Sequence, residues 1–203
     1  MAGRRLVLAL VLAVTMACSS EAPGDTFAAL DLDEIVLQAA DAPAGTEWAA
    51  SVSGPTDLQR FARDAEELEL LQKDRFREGY LSLFVPPGYA EPDPTLPPLP
   101  ADAVFVQGIA GLFETGGGAH AALDRFVADL RTNQIPSATD VEADGLGDES
   151  FGIEGASTDG SHILIFVWRR GNLILAVSGA GDIAAGEVRS LADLVDARAG
   201  EVA

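Results

Sequence analysis

The sequence predicts an α+β domain, a mostly antiparallel sheet with helices packed on it, and three observations carry that expectation. First, apolar side chains fall at Ala119, Ala122, Leu123, Phe126, Val127 and Leu130, the spacing of one helix face. Second, the apolar runs 163–168 and 173–177 are joined across Arg170, Gly171 and Asn172, a hairpin signature. Third, the order of elements reads α-β-α-β-β-α-β-β-β-α, which sets strands beside strands and leaves helices to pack on the sheet.

From the N-terminal end of the domain, Leu30, Leu32, Ile35, Val36 and Ala39 form a first helical stripe. Pro43 and Gly45, in the stretch from Asp41 to Gly45, end it, and Trp48 to Val52 alternates as a short strand. Thr56 or Asp57 caps the next helix, which turns Leu58, Phe61, Ala65 and Leu68 to one side and Glu66, Glu67, Glu69, Lys73 and Arg77 mostly to water. Tyr80 to Val85 reads as a strand. Residues 86–100 hold seven of the chain's 11 prolines, which cannot donate ladder hydrogen bonds and favour an extended path. That segment is predicted to be a loop within the domain, with Tyr89, Leu96 and Leu99 folding it back over apolar surface. Val104, Val106 and Ile109 predict a strand, and Thr115 with Gly116, Gly117 and Gly118 leads into the amphipathic helix. Residues 133–147 read as a polar loop, residues 150–155 as a strand, and Asp159 and Gly160 as a turn before the hairpin. The last helix is expected to start near Asp182 and to bury Val188, Leu191, Leu194 and Val195.

Ahead of the domain, Arg4 and Arg5 precede an apolar run from Leu6 to Ala17, followed by Cys18, Ser19 and Ser20. The run fits the core of a secretory signal and is too short for a membrane-spanning helix, which needs about 20 apolar residues. Thr15 to Cys18 resembles a bacterial lipobox, with Thr15 where leucine is usual. The resemblance implies cleavage after Ala17 and acylation of Cys18. The predicted organisation is a signal peptide over 1–17, a lipidated cysteine and tether over 18–29, and one domain over 30–203. Cys18 is the only cysteine, so the domain has no disulfide and relies on a hydrophobic core.

The chain carries 32 acidic and 13 basic residues, a formal charge of −19, and loss of Arg4 and Arg5 makes the mature form more acidic still. Such a field repels nucleic acid and anionic headgroups. A lipid anchor, not a basic surface, is therefore expected to hold the protein at the extracytoplasmic face of the membrane.

Most catalytic constellations fail on context. Gly179, Gly181 and Ala184 have the spacing of a dinucleotide fingerprint, but no second parallel strand follows, and Asp182 would face a pyrophosphate. Asp182 is instead expected to cap the last helix. Asp140, Glu142 and Asp144 begin like a calcium loop, whose twelfth position is Phe151 in place of the bidentate glutamate. Weak calcium binding over Asp140 to Glu149 stays open beside a plain acidic turn. There is no G-x-S-x-G and no S-x-x-K. His120 and His162 are the only imidazoles; they read as a surface histidine near a helix start and one at a strand edge, and no spacing brings them together on a metal. No cofactor is implied.

The runs 163–168 and 173–177 are apolar on both faces, which a sheet covered on one side alone does not require. The second face is either filled by a helix or the proline-rich loop, or it forms a cleft for an apolar ligand or a partner. On the cleft reading, Trp48, Tyr80, Phe166 and Trp168 are the candidate walls, with Arg169 and Arg170 as anion contacts. Each also has a structural reading, the tryptophan as core and the arginines as counterions to nearby carboxylates.

Asp41 to Gly45 with Trp48, Glu78 to Tyr80, Phe113 with Gly118 and Ala119, Gly147 to Glu149, Trp168 to Asn172, and Leu191 and Ala192 through to Arg198 resemble exported lipoproteins of actinobacteria. Their architecture is similar to that of extracellular sensor domains on bacterial Ser/Thr kinases. The resemblance implies a sensor-like fold and carries no catalytic residue. Two functions fit: a membrane-anchored, non-catalytic module that binds a ligand, and an envelope lipoprotein that binds or regulates another protein. A hydrolase built on two distant carboxylates would leave no motif. Cys18→Ala should move the protein from the membrane fraction to the soluble fraction of fractionated cells, and retention in the membrane would overturn the anchor.

Overall fold

Strand-forming sequence that is apolar on two sides needs two covers, and the structure, a computed structural model, supplies both. It describes residues 26–27, 32–90, 102–157 and 160–203. Cys18, the signal, most of the tether, Leu30, Asp159, and residues 91–101, which take in most of the proline-rich loop with Leu96 and Leu99, lie outside them.

Eight strands form one sheet: β1 (Glu47–Trp48), β2 (Gly54–Thr56), β3 (Phe76–Val85), β4 (Phe105–Phe113), β5 (Thr139–Val141), β6 (Glu149–Ala156), β7 (His162–Arg170) and β8 (Leu173–Ala180). Their order is β1-β3-β4-β8-β7-β6-β5, with β2 also paired to β3, and every pairing is antiparallel. The α+β expectation is met. The β7–β8 hairpin closes through Gly171 and Asn172, where Arg170 pairs with Leu173 and Gly171 takes φ +56°. A two-residue turn of this kind needs positive φ at its first position, which glycine adopts without strain.

The helices are α1 (Leu32–Ile35), α2 (Leu58–Phe61), α3 (Ala65–Lys73), α4 (Gly116–Asp129) and α5 (Ala185–Val202). One sheet face buries Phe84, Leu112, Phe166, Trp168 and Leu175 against α1 and the Val188, Ala192, Val195 and Ala199 stripe of α5. The opposite face carries Phe76, Phe113, Ile165, Val167 and Ile174, covered by α4 through Ala119, Ala122, Leu123 and Val127 and by Leu71 of α3. Each large apolar side chain withdrawn from water contributes about 1.5–3 kcal/mol, so both covers matter.

Several boundaries move for identifiable reasons. The first helix is a single turn, because Val36 and Leu37 leave it to bury themselves at 1% and 0% exposure, and a 3₁₀ turn follows at Ala39–Asp41. The strand expected over 48–52 shrinks to Glu47–Trp48, with Gly54–Thr56 pairing after a turn. The helix expected from 57 splits into α2 and α3, since both Asp57 and Asp64 act as caps, accepting from the backbone N–H of Arg60 and Glu67. α4 ends in a π-turn at Leu130–Gln134, and the loop expected over 133–147 contains β5. Asp182 does not cap α5: the cap position is Ala184, with no side-chain bond, while the Asp182 N–H donates to Asp102 O.

The chain engages the fold before residue 30. Phe27 is 3% exposed, its N–H donates to Asn172 Oδ1 at 2.8 Å, and Asn172 Nδ2 donates to Phe27 O at 3.0 Å and to Phe113 O at 2.6 Å. One buried amide thus ties the N-terminal segment to the hairpin turn and to the end of β4. Asn172→Ala should lower stability by roughly 2–4 kcal/mol in urea denaturation, since it leaves buried backbone groups without partners. Loss of amide-exchange protection at Phe27 would accompany it; an unchanged midpoint would refute the clamp.

Candidate functional site

The two covers are not equally filled. Between α2, α3 and α4 and the sheet lies a cavity of about 370 Å³, at the small end of ligand pockets. Its floor comes from alternate residues of the central strands. β8 turns Leu173, Leu175 and Val177 toward α5 and Ile174, Ala176 and Ser178 toward the cavity. β4 contributes Phe113, Ile109 and Gln107, and the register pairs Gly111 with Ile174, Ile109 with Ala176 and Gln107 with Ser178. β8 therefore grades from Ile174 through Ala176 to Ser178, β4 runs beside it from Phe113 past Gly111 and Ile109 to Gln107, and both are polar at the same end.

Small residues place the roof. Gly79 and Gly111 are register partners on β3 and β4, and the ring of Phe61 sits against both. A Cβ at Gly79 would come within 2.8 Å of the Phe61 ring, so the glycine pair forms the notch that seats α2. Ala122 of α4 and Ala176 of β8 face each other's layers with methyl groups only, which leaves the space unfilled.

Three charged residues line the cavity, Arg60, Arg63 and Glu67. Arg63 Nε donates to Glu67 Oε2 at 2.8 Å, and its Nη1 pairs with Asp129. The hydrogen bond to Glu67, opposed by burial and supplemented by Asp129, raises the Arg63 guanidinium further above its usual value. Burial alone would raise Asp129, but hydrogen bonds from Asn133, Gln134 and Arg63 hold it below the usual carboxylate range. Asp41 is likewise held low, with burial outweighed by Arg198 and the Gln38 N–H. These are carboxylates committed to ion pairs, not acids poised to donate a proton.

The residues singled out from sequence are distributed differently from the expectation. Trp168 is 0% and Phe166 4% exposed, both in the core under α5, so the cleft expected beside them is closed by that helix. Trp48 stacks edge-on to Phe84 at 5.2 Å on the same face. Tyr80 borders the cavity from β3 while its ring packs with the α5-side core, where burial and then Asp33 raise its phenol. Arg170 pairs with Asp196 of α5 at 2.8 Å. Arg169 lies 3.4 Å from Asp148 and 3.5 Å from Glu149. The arginines therefore balance carboxylates, as their structural reading has it. The cavity lies on the other face, and its linings Arg60, Gln107 and Ser178 gave no motif to find.

The acidic stretch 140–149 does not converge on a cation. Asp140 pairs with Arg131, while the Glu142 and Asp144 carbonyls accept from Arg189. The only three-residue His/Asp/Glu grouping among the described residues is His120, Asp124 and Glu149. It contains one histidine, not two; His162 pairs separately with Glu154 at 3.0 Å. His120 Nδ1 is 2.8 Å from Glu149 and its Nε2 3.7 Å from Asp124, with Arg169 beside Glu149. The ring nitrogens each face a carboxylate, the arrangement of a held imidazolium rather than an open ligand set. Gly179 of the glycine-rich turn has no room for a ligand either, since a Cβ there would meet Val188 at 2.5 Å.

The fold and cavity define an α+β domain with one loosely filled cover. Among solved structures it is similar to the crystal structure of the extracellular domain of PknH from Mycobacterium tuberculosis, at a TM-score of 0.54 and 10% identity, over 88% of this chain and 99% of that one. At that identity the likeness is one of fold, and it agrees with the α+β architecture expected from the sequence. No protein-family model matches the chain, and no curated protein is detectably similar in sequence. Among the described residues no helix is long and apolar enough to cross a membrane.

The hydrogen bond to Glu149, reduced by partial burial and aided by the charges of Glu149 and Asp124 against Arg169, raises the His120 pKa above 6.5. A raised folded-state value contributes stability that is complete below the unfolded value and lost as pH rises through the folded one. Stability should therefore fall from pH 6 to pH 8 in wild type and fall less in His120→Gln, measured by urea midpoints. A His120 imidazole titrating below 6.5 by NMR would contradict the pairing.

Proposed function

We propose that the chain is a membrane-anchored, extracytoplasmic, non-catalytic ligand-binding module of sensor type, whose ligand occupies the cavity between α2–α4 and the sheet. The cavity carries the reading: about 370 Å³ of space with an apolar floor, in a domain whose other cover is packed to near-complete burial. An apolar recess of that size leaves its floor facing water, a cost that a bound apolar ligand recovers. The export signal and lipobox-like Cys18 support the location, and the likeness to the extracellular domain of PknH fits it. On this reading the sensor role works through a partner protein. The carboxylates held low by arginine give no support to a hydrolase, which needs one carboxyl raised.

The test uses the uncharged dye Nile red with the domain from residue 26 onward. Wild type should enhance and blue-shift its emission. Ala122→Phe combined with Ala176→Leu, which fills the space from both layers, should weaken binding about tenfold, the penalty of overpacking a fitted site. Retained thermal stability in that variant would separate filling from unfolding. Absence of dye binding by wild type would overturn the ligand reading and favour protein interaction.

A further inference from the structure

We infer that the ligand is an amphipathic anion, an aliphatic chain ending in one negatively charged head, and that Arg60 binds the head. This rests on the ligand-binding reading above and adds the chemical class.

The argument is one of charge accounting. Of the three charged groups lining the cavity, Arg63 and Glu67 neutralise each other, and Arg63 is further engaged by Asp129. Arg60 has no acidic partner within ion-pair distance among the described residues, and its side chain makes no hydrogen bond. The lining therefore carries one net positive charge in a chain whose total is −19. Arg60 is exposed and, like Arg77, reaches no carboxylate among the described residues; what sets it apart is its place in the cavity lining, where a bound anion adds a charge-assisted hydrogen bond.

Its placement is built in. Phe61, the next residue, is seated in the Gly79–Gly111 notch, and the Arg60 N–H is capped by Asp57 Oδ1 at 3.0 Å. The backbone that carries the guanidinium is thus fixed at the cavity wall. The floor between suits a hydrocarbon tail: Phe113 and Ile174 at one end and Ile109 with Ala176 in the middle, ahead of the neutral polar pair Gln107 and Ser178. A wholly apolar ligand would make no use of Arg60, whose exposed side chain would stay hydrated. A cationic one would meet it with like charge.

Competition against Nile red tests the class with four probes of equal chain length: laurate, dodecyl phosphate, dodecanol and dodecyltrimethylammonium. Laurate should bind about tenfold more tightly than dodecanol, the increment of one charge-assisted hydrogen bond, and dodecyltrimethylammonium should bind worst. Arg60→Gln should erase the difference between laurate and dodecanol. Arg77→Gln, which removes an exposed cation away from the cavity, should preserve it. Dodecyl phosphate binding as well as laurate would widen the class to lipid phosphates, and weaker binding would confine it to carboxylates; both support an anionic head. Equal affinity for laurate and dodecanol, unaffected by Arg60→Gln, would overturn the head-group assignment and leave the cavity reading standing. Failure of all four to displace a bound dye would overturn the aliphatic-anion class itself.

Discussion

The requirement that β7 and β8 be covered on both faces governs the rest of the structure. Their side chains alternate between two apolar sets, Phe166, Trp168 and Leu175 on one side and Ile165, Val167 and Ile174 on the other. An antiparallel sheet can leave one face in water, but this one cannot without exposing several large side chains at once. That need places α5 against one face and α4 against the other, and it puts the two strands in the middle of the sheet, flanked by β4 and β6.

The two interfaces then diverge through side-chain size. Against α5 the sheet offers Trp168, Phe84 and Leu175, and the helix answers with Val188, Ala192 and Val195, closing the space. Against α4 the positions that would have to meet are alanine and glycine: Ala122, Ala176, Gly79 and Gly111. The glycine pair is taken up by Phe61, which pulls a one-turn helix onto the sheet, while the alanines leave room. A domain with no disulfide tolerates that void because the opposite interface is dense. Open space and dense packing are in this way assigned to different faces of one sheet.

Much of the scaffold was legible because periodicity and turn chemistry are local. The stripe from Ala119 to Leu130 and the hairpin around Gly171 appear where their spacing placed them. Shorter elements were not. Leu30 to Ala39 has helical spacing, yet the sheet draws Val36 and Leu37 into its core and stops the helix after one turn. The break between α2 and α3 had a local signal in Asp64, a second cap six residues after the helix start, which the continuous apolar stripe masked. The site was the least legible part. That two faces of the sheet would be buried could be read from alternation; which face would be underfilled depends on what Ala122 and Ala176 meet across space. Likewise Asp124 stands one turn from His120 in sequence, but Glu149 joins them only through the sheet.

The amide of Asn172 fixes more than the position of Phe27. Ser178 lies six steps along β8 from Asn172, roughly 20 Å. The chain thus enters the domain at one end of the sheet, and the polar end of the cavity lies toward the other. Eight residues, 19–26, separate Cys18 from Phe27, and at full extension they reach about 27 Å. With an acylated Cys18 the domain would stand on its Asn172 end, within a molecular diameter of the bilayer, and would present Gln107 and Ser178 outward. Such a stance would limit its partners to those that come equally close to the membrane.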